Sequence, residues 1–435
     1  MADELQPPQE QPAALAAHPV RLLVRDDLAR SRLTVFFRLI LVIPHALWIA
    51  LWGIGALVAA IVNWFATLVG GKSPDALHNF LALYVKYVTQ VYAYLYLAAN
   101  PYPKFDGSPG YPVDVSIDAP MRQDRAGVAF RIILALPAML IAATLAGSPL
   151  GAGITSNSGG SNGGGLLIAV AFLGWFAILA RGRMPRGLRD AATYALSYGA
   201  QLWSYLFLLT DRYPDSDPQR ALDWLPARSD PISLSVAGEL RRSRLTVFFR
   251  LLLALPHLVW LALWGILALL AAIANWFATL VTGRSPASLH AFLARYTRYQ
   301  AHVYAFLYLL ANPFPGFAGA AGSYPIDVSI APPQRQHRAT VGFRIVLAVP
   351  ALILASAYGG LLTVAAIFGW FASLATGKMP RGLRNAGALA LRYSIQTSGY
   401  LFMLTDSYPY TGPTATSGAE AAAADPGQPP GLGSL

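Results

Sequence analysis

One feature limits this chain more than any other: it is built of copies of a single unit. Residues 30–53, RSRLTVFFRLILVIPHALWIALWG, return at 242–265 as RSRLTVFFRLLLALPHLVWLALWG. The same offset joins NWFATLV at Asn63 and Asn275, SPDALH with SPASLH, and VYAYLYLAANPYP with VYAFLYLLANPFP. Each half divides again. VAFRIILALP (from Val128) echoes VFFRLILVIP (from Val35), GWFAILARGRMP echoes NWFATLVGGKSP, and VGFRIVLAVP, GWFASLATGKMP and GYLFMLTDSYP complete a fourth copy. The order is A, B, A′, B′, and units of this kind bury their apolar faces against one another.

The chain divides into a tail over 1–18, unit A over 19–110, unit B over 111–230, unit A′ over 231–323, unit B′ over 324–410, and a tail over 411–435. The last stretch is rich in Ala, Gly, Pro and Ser, and both tails are expected to be disordered. The first eighteen residues lack a basic region followed by an apolar one, so no cleaved signal peptide is expected.

Every unit opens on a short alternating run (PVRLLV, PVDVSI, PISLSV, PIDVSI), the pattern of a half-buried strand. A basic step follows at Arg32, Arg125, Arg244 and Arg338. Then come an apolar stretch, a Trp-Phe-Ala motif, a basic G-x-x-P turn and a semi-polar helical segment.

Composition places the apolar stretches in lipid. Hydrophobic residues make up 55% and charged residues 12% of the 435, against about 25% charged in soluble proteins; mean hydropathy is +0.46. The apolar run from Leu33 to Val69 would form a helix of roughly 55 Å at 1.5 Å per residue, while the hydrocarbon core is about 30 Å thick. The expectation is a hairpin of two spans turning near Gly53 and Gly55, as the Gly-rich insert Gly147–Gly165 of unit B suggests. Basic residues on both sides of each stretch favour an even number of crossings with all of them cytoplasmic. The expected fold is thus an all-α polytopic membrane protein of four helical-hairpin units, each with a leading β-strand and a third amphipathic helix at the interface. It has eight spans and cytoplasmic termini, with twelve spans in inverted repeats as the rival. The expected location is the cell membrane, multi-pass.

Candidate residues follow from the repeat. Arg38, Arg131, Arg250 and Arg344 sit early in the apolar stretch, where a guanidinium either snorkels to headgroups or holds an anion or lipid phosphate. His45 and His257 follow a proline in A units only and are read with Asn63 and Asn275 as a polar membrane site; Ala138 and Ala351 fill the His position in B units. Asn63 also reads as a close-packing residue with an interhelical hydrogen bond. Trp64, Trp175, Trp276 and Trp370 read as interface anchors. Ser73 and Ser285 read as caps of the following helix. Polar stripes at helical spacing mark the third segments: Asn79, Lys86 and Gln90; Asp190, Thr193, Ser197, Gln201 and Ser204; Arg295, Arg298 and His302; Asn385, Arg392 and Gln396.

Absent cysteine removes thiol chemistry and disulfides. No HExxH, G-x-S-x-G or dinucleotide fingerprint is present. The expectation is no enzyme, no cofactor and no metal. A net charge of +11 is read as attraction to anionic headgroups on the cytoplasmic face rather than to nucleic acid; no protein partner is implied. The pattern F-R-x-x-L-x-x-P, W-F-A-x-L-x-x-G-x-x-P and Y-L-x-L-x-x-x-Y-P, carried by Phe37-Arg38, Trp64-Phe65 and Tyr102-Pro103 and their repeats, resembles the bacterial membrane family catalogued as domain of unknown function 4389. The resemblance implies a membrane protein and brings no activity or site residues. From the residues, a non-enzymatic scaffold or lipid-interacting protein is expected, with a repeat-symmetric channel or transporter as the alternative.

Overall fold

The computed structural model describes residues 18–147, 165–222 and 225–415. The tail over 1–17, the insert over 148–164 and the tail over 416–435 lie outside the described residues. Residues 411–415, expected in the disordered tail, are instead packed: Thr411 is buried, and the Ala415 N–H bonds the Pro226 carbonyl.

Unit A comprises β1 (Val20–Val24), α1 (Arg32–Phe36), α2 (Arg38–Leu41), α3 (Ile43–Gly70) and α4 (Asp75–Leu95). Helices α2 and α3 run on through helical Val42 as one 33-residue helix, Arg38–Gly70. Unit B has β2 (Val113–Ile117), α5 (Arg125–Ala129), α6 (Arg131–Ala146), α7 (Leu166–Arg181) and α8 (Arg186–Leu206). Unit A′ has β3 (Ile232–Val236), α9 (Arg244–Phe248), α10 (Arg250–Thr282) and α11 (Ala287–Leu307). Unit B′ has β4 (Ile326–Ile330), α12 (Arg338–Gly342), α13 (Arg344–Thr376) and α14 (Arg381–Leu401). The strands pair antiparallel as β1 with β2 and β3 with β4, centred on Leu22 opposite Val115 and Leu234 opposite Val328. The fold is mostly helical rather than all-helical.

The two-span hairpin does not form. The apolar stretches of A, A′ and B′ are single helices of 33 residues. Gly53 and Gly55 stay helical, because nothing near them supplies a turn. Their lack of a side chain makes room instead: a Cβ on Gly53 would lie 2.9 Å from the Tyr84 hydroxyl, and one on Gly265 3.0 Å from that of Tyr296. The helices that flank the insert of unit B do not fold back on each other either. Helix α6 starts beside the end of α8, where Arg131 meets Asp211, and α7 ends where α8 begins, so α6 and α7 lie end to end. Gly147 and Gly165 touch across the gap; a Cβ on Gly165 would fall 2.0 Å from the Gly147 nitrogen.

Each long helix ends on a left-handed glycine with φ of 71° (Gly71, Gly182, Gly283, Gly377) whose N–H bonds the carbonyl four residues back, the helix stop that glycine makes possible. The carbonyl of that glycine then accepts from the start of the neighbouring unit: Gly71 from Gln123, Gly182 from Arg30, Gly283 from Gln336, Gly377 from Arg242. The end of each long helix therefore lies at the start of its partner's. Two helices of about 50 Å joined in this reciprocal way run antiparallel, and A with B, like A′ with B′, forms a pseudo-twofold pair whose axis passes through the strand pair.

The amphipathic helices turn much of their polar stripes inward, onto the strands and linkers, although Asn79 and Arg295 stay exposed. Gln90 donates to Asp114 (3.1 Å), Gln201 to the Val20 carbonyl (3.4 Å), Gln396 to the Ile232 carbonyl (2.9 Å), Arg298 to the Val328 carbonyl (2.8 Å), and His302 pairs with Asp327 (2.8 Å). In α8 all five stripe residues are buried. The apolar long helices are the exposed ones.

Deleting residues 147–164, so that Ala146 joins Gly165, should leave an uninterrupted helix in unit B. The expected result, read by circular dichroism, is unchanged helicity and a thermal midpoint within a few degrees of wild type. Collapse of the fold would mean that α6 and α7 need a long connection.

Candidate functional site

The four early arginines are buried, with 1–2% of their surface exposed. Each lies at the first position of its long helix, and the long side chain turns inward. Arg38 donates from Nη1 to the carbonyls of Tyr94 (2.6 Å) and Ala99 (3.0 Å) and stacks over the Tyr94 ring at 4.2 Å. Arg250 repeats this with the Phe306 and Ala311 carbonyls and the Phe306 ring. Arg131 and Arg344 add carboxylates: Asp211 and Asp406, each at 3.0 Å, with the Gln123 and Gln336 carbonyl oxygens at 2.6 Å. The A units carry Asn100 and Asn312 where the B units carry those acids.

These guanidiniums close the ends of α4, α8, α11 and α14, where a left-handed non-glycine residue (Leu97, Leu208, Leu309, Met403) breaks the helix and frees carbonyls. They neither snorkel nor converge. Their Nη donors are engaged by the chain's own oxygens, while Nε of each is buried without a partner among the described residues, so the expected ring for lipid phosphate is not assembled.

His45 is fully buried in an aromatic enclosure. Its Nδ1 lies 2.6 Å from the Tyr87 hydroxyl, Phe105 stacks on it at 4.4 Å, and Tyr102 tilts against it at 4.4 Å. His257 has the same surroundings in Tyr299, Phe317 and Phe314. Nε2 of both has no partner among the described residues. Asn63 is not part of that enclosure. It donates to the Phe207 carbonyl of unit B (2.9 Å) and accepts from Ser73 (2.7 Å), as Asn275 does with Phe402 and Ser285. The polar set read together is thus split into aromatic histidines and inter-unit asparagines. Ser73 and Ser285 turn back to Asn rather than capping; the N-caps are Pro74 and Pro286.

The tryptophans are staples between units. The indole N–H of Trp64 bonds the Val128 carbonyl, Trp276 that of Val341, and Trp370 that of Val247, while Trp175 stacks on Phe36 at 6.1 Å. A′ and B′ thereby exchange the same bond in both directions.

Two features escaped the sequence. B units replace the Asn–Ser pair by Gly174 with Met184 and Gly369 with Met379, the methionine sulfur filling the space the glycine leaves; two repeat substitutions ten residues apart were the available signal. A buried ion network also joins Asp26, Arg30, Arg189 and Asp190. No group of three metal-ligating side chains occurs among the described residues.

His78 and His290 bond the carbonyls of Asp118 (3.1 Å) and Ala331 (3.0 Å) through Nε2, leaving Nδ1 buried without a partner. Burial holds both below the usual histidine pKa. Protonation then favours the unfolded chain, so stability present above the ordinary value near 6.5 is lost as pH falls below it.

Segments 32–106, 163–216, 244–318 and 338–411 match the family model described as domain of unknown function (DUF4389), together well over half of the chain. No curated protein and no solved structure matches.

Two outcomes check this site. Asn63→Gly alone should cost about 1–3 kcal/mol, since it leaves a buried carbonyl and hydroxyl unpaired. Adding Ser73→Met should recover part of that in denaturant unfolding, a coupling that independent sites would lack. Between pH 7 and 5 the thermal midpoint should fall, and His78→Gln with His290→Gln should flatten the slope.

Proposed function

The chain belongs to the DUF4389 family, and on that footing we propose that it is a non-enzymatic, lipid-embedded scaffold of the cell membrane. The observation behind this is the outer surface of the long helices. Three of them are long and apolar enough to cross a membrane. Leu47, Leu51, Ile54, Leu57, Ile61 and Phe65 of α3 are all exposed, and α10 and α13 expose similar rows. An apolar surface of this extent suits lipid or another chain, not water.

The antiparallel exchange favours one seating over another. If the long helices crossed the bilayer, the pseudo-twofold axis would lie in the membrane plane and the strand pair would sit at mid-depth. Arg21 and Asp118, half-exposed at the strand ends, would then face hydrocarbon at a cost of about 2.5–3.5 kcal/mol each. With the axis along the membrane normal, the strands face water, and the apolar helices lie within one leaflet. Arg32 and Arg125, at opposite ends of the A–B pair, then share one headgroup level and meet anionic lipid there. Twin basic ends, first read as a sign of hairpins, are accounted for without an even number of crossings. Of the polar stripes that a conduit would use, Gln90, Gln201, Arg298, His302 and Gln396 are occupied by contacts to the strands.

The natural absence of cysteine makes the test direct. Ser31→Cys and Gly70→Cys mark the two ends of the unit A helix. In sealed vesicles both should react with a membrane-impermeant maleimide from the same side. Reaction from opposite sides would mean that the helix crosses. Vesicle flotation should also weaken with salt and with removal of anionic lipid.

A further inference from the structure

We propose that the second half of the chain binds a phosphate group beside Arg242 and Arg384, where the first half holds carboxylates of its own. The duplication supplies the control. In the first half, buried Arg30 donates to both oxygens of Asp26, at 2.9 and 2.7 Å. Buried Arg189 donates from Nε to Asp190 at 2.6 Å and stands 4.0 Å from Asp26. Two cations meet two carboxylates, and the Tyr410 hydroxyl donates to Asp190.

At the matching positions the second half keeps both arginines and neither acid. Gly238 stands for Asp26 and Asn385 for Asp190. Arg242 and Arg384 are each only 5% exposed. Arg242 reaches only carbonyls, those of Glu239, Arg241 (2.9 Å), Leu309 (3.2 Å) and Leu310 (2.9 Å). Arg384 reaches the Asn385 side-chain oxygen at 3.1 Å and the Gly238 carbonyl at 3.1 Å. Neither forms an ion pair among the described residues. Asp217 is one step away from Arg384: it accepts from Asn385 Nδ2 at 2.9 Å and from the Gln219 N–H. A buried cation without a counter-charge is costly. Burial and the charge of Arg384 push Arg242 down to about 10, which leaves it charged at neutral pH.

The missing side chains leave room. A cavity of about 420 Å³ is lined by Gly238, Glu239, Arg241, Arg242, Ser243 and Asn312. Another of about 250 Å³ is lined by Arg220, Arg381, Arg384, Asn385, Arg392 and Asp217. Arg241 replaces Ala29 of the first half, so the surroundings have also gained charge. In the second cavity Arg220, Arg381, Arg384 and Arg392 stand against Asp217, with Arg220 paired to Asp215, and in the first Arg241 and Arg242 stand against Glu239; both balances favour an anion, and guanidinium donors suit phosphate oxygens. Free phosphate and a lipid phosphomonoester share this chemistry. The site stands whether or not the proposed seating in one leaflet holds.

The full chain in detergent would be melted against sodium phosphate at ionic strength held constant with chloride, and again in phosphatidylcholine nanodiscs with and without phosphatidic acid. A saturable rise in midpoint with phosphate supports the site; a rise with phosphatidic acid alone also supports it and makes lipid the source. Arg384→Gln should abolish the rise without lowering the unliganded midpoint, whereas Arg189→Gln should destabilise the chain and keep the rise. Exposed Arg381→Gln, which lines the cavity without a structural bond, should weaken phosphate binding several-fold and decides the matter should Arg384→Gln not fold. No saturable response to either phosphate source, or a full response in both Arg384→Gln and Arg381→Gln, would overturn the proposal.

Discussion

The carbonyls at the end of an α-helix have no partner within it, and this protein resolves that need between units rather than within them. Each long helix stops at a left-handed glycine, and its partner unit supplies a main-chain N–H to that glycine and, for the helices of units A, B and B′, an arginine to the last turn. Arg32 reaches the Ala180 carbonyl, Arg125 that of Val69 and Arg244 that of Ala375. A cation there also complements the negative end of the helix dipole. Because each unit closes its partner's helix, no unit is complete alone. The strand pairs, the Trp bonds and the antiparallel order of the helices all follow from that exchange.

The amphipathic helix of each unit ends in a different way, with the same kind of group. A non-glycine residue held at positive φ costs of order 1 kcal/mol or more. Arg38, Arg131, Arg250 and Arg344 gather the carbonyls freed by that turn. The B units oppose the buried charge with Asp211 and Asp406; the A units use neutral Asn100 and Asn312 and rely on carbonyls and an aromatic face. The same guanidinium position therefore tolerates two electrostatic solutions, which marks it as architectural.

Much of this was legible in the residues. The four units, their strands and the helix stops at G-x-x-P follow from alternation, glycine and proline. The two-span hairpin failed because a length limit for helices normal to a bilayer was applied to helices whose orientation was unknown. With Gly53 and Gly55 flanked by apolar residues, nothing local outweighed continued helix formation. The inward polar stripes failed for a related reason. Spacing of three and four shows that Gln90 or Gln201 shares a face with other polar groups, but not whether water, headgroups or a strand edge meets it. The strands that do meet it were recognised, and their pairing across units was the missing step. Asn63 bonds a carbonyl 144 positions away, a partner that helical spacing does not reveal.

The two halves have not diverged evenly, and the pattern bears on what is selected. The exposed rows of α3 and α10 keep nearly the same apolar residues, as a surface in contact with lipid requires only hydrophobicity. Asn63, Thr67 and Ser73 recur unchanged as Asn275, Thr279 and Ser285 because both hydroxyls donate to the one asparagine oxygen within one buried space. Other substitutions fall where the halves meet their own linkers: Asp26 becomes Gly238, Ala29 becomes Arg241, and Asp190 becomes Asn385. Loss of two buried carboxylates at one place, with both arginines retained, is an unfavourable step for a purely structural network. An outside anion would remove that penalty, and it would give the second half a dependence on its surroundings that the first half lacks.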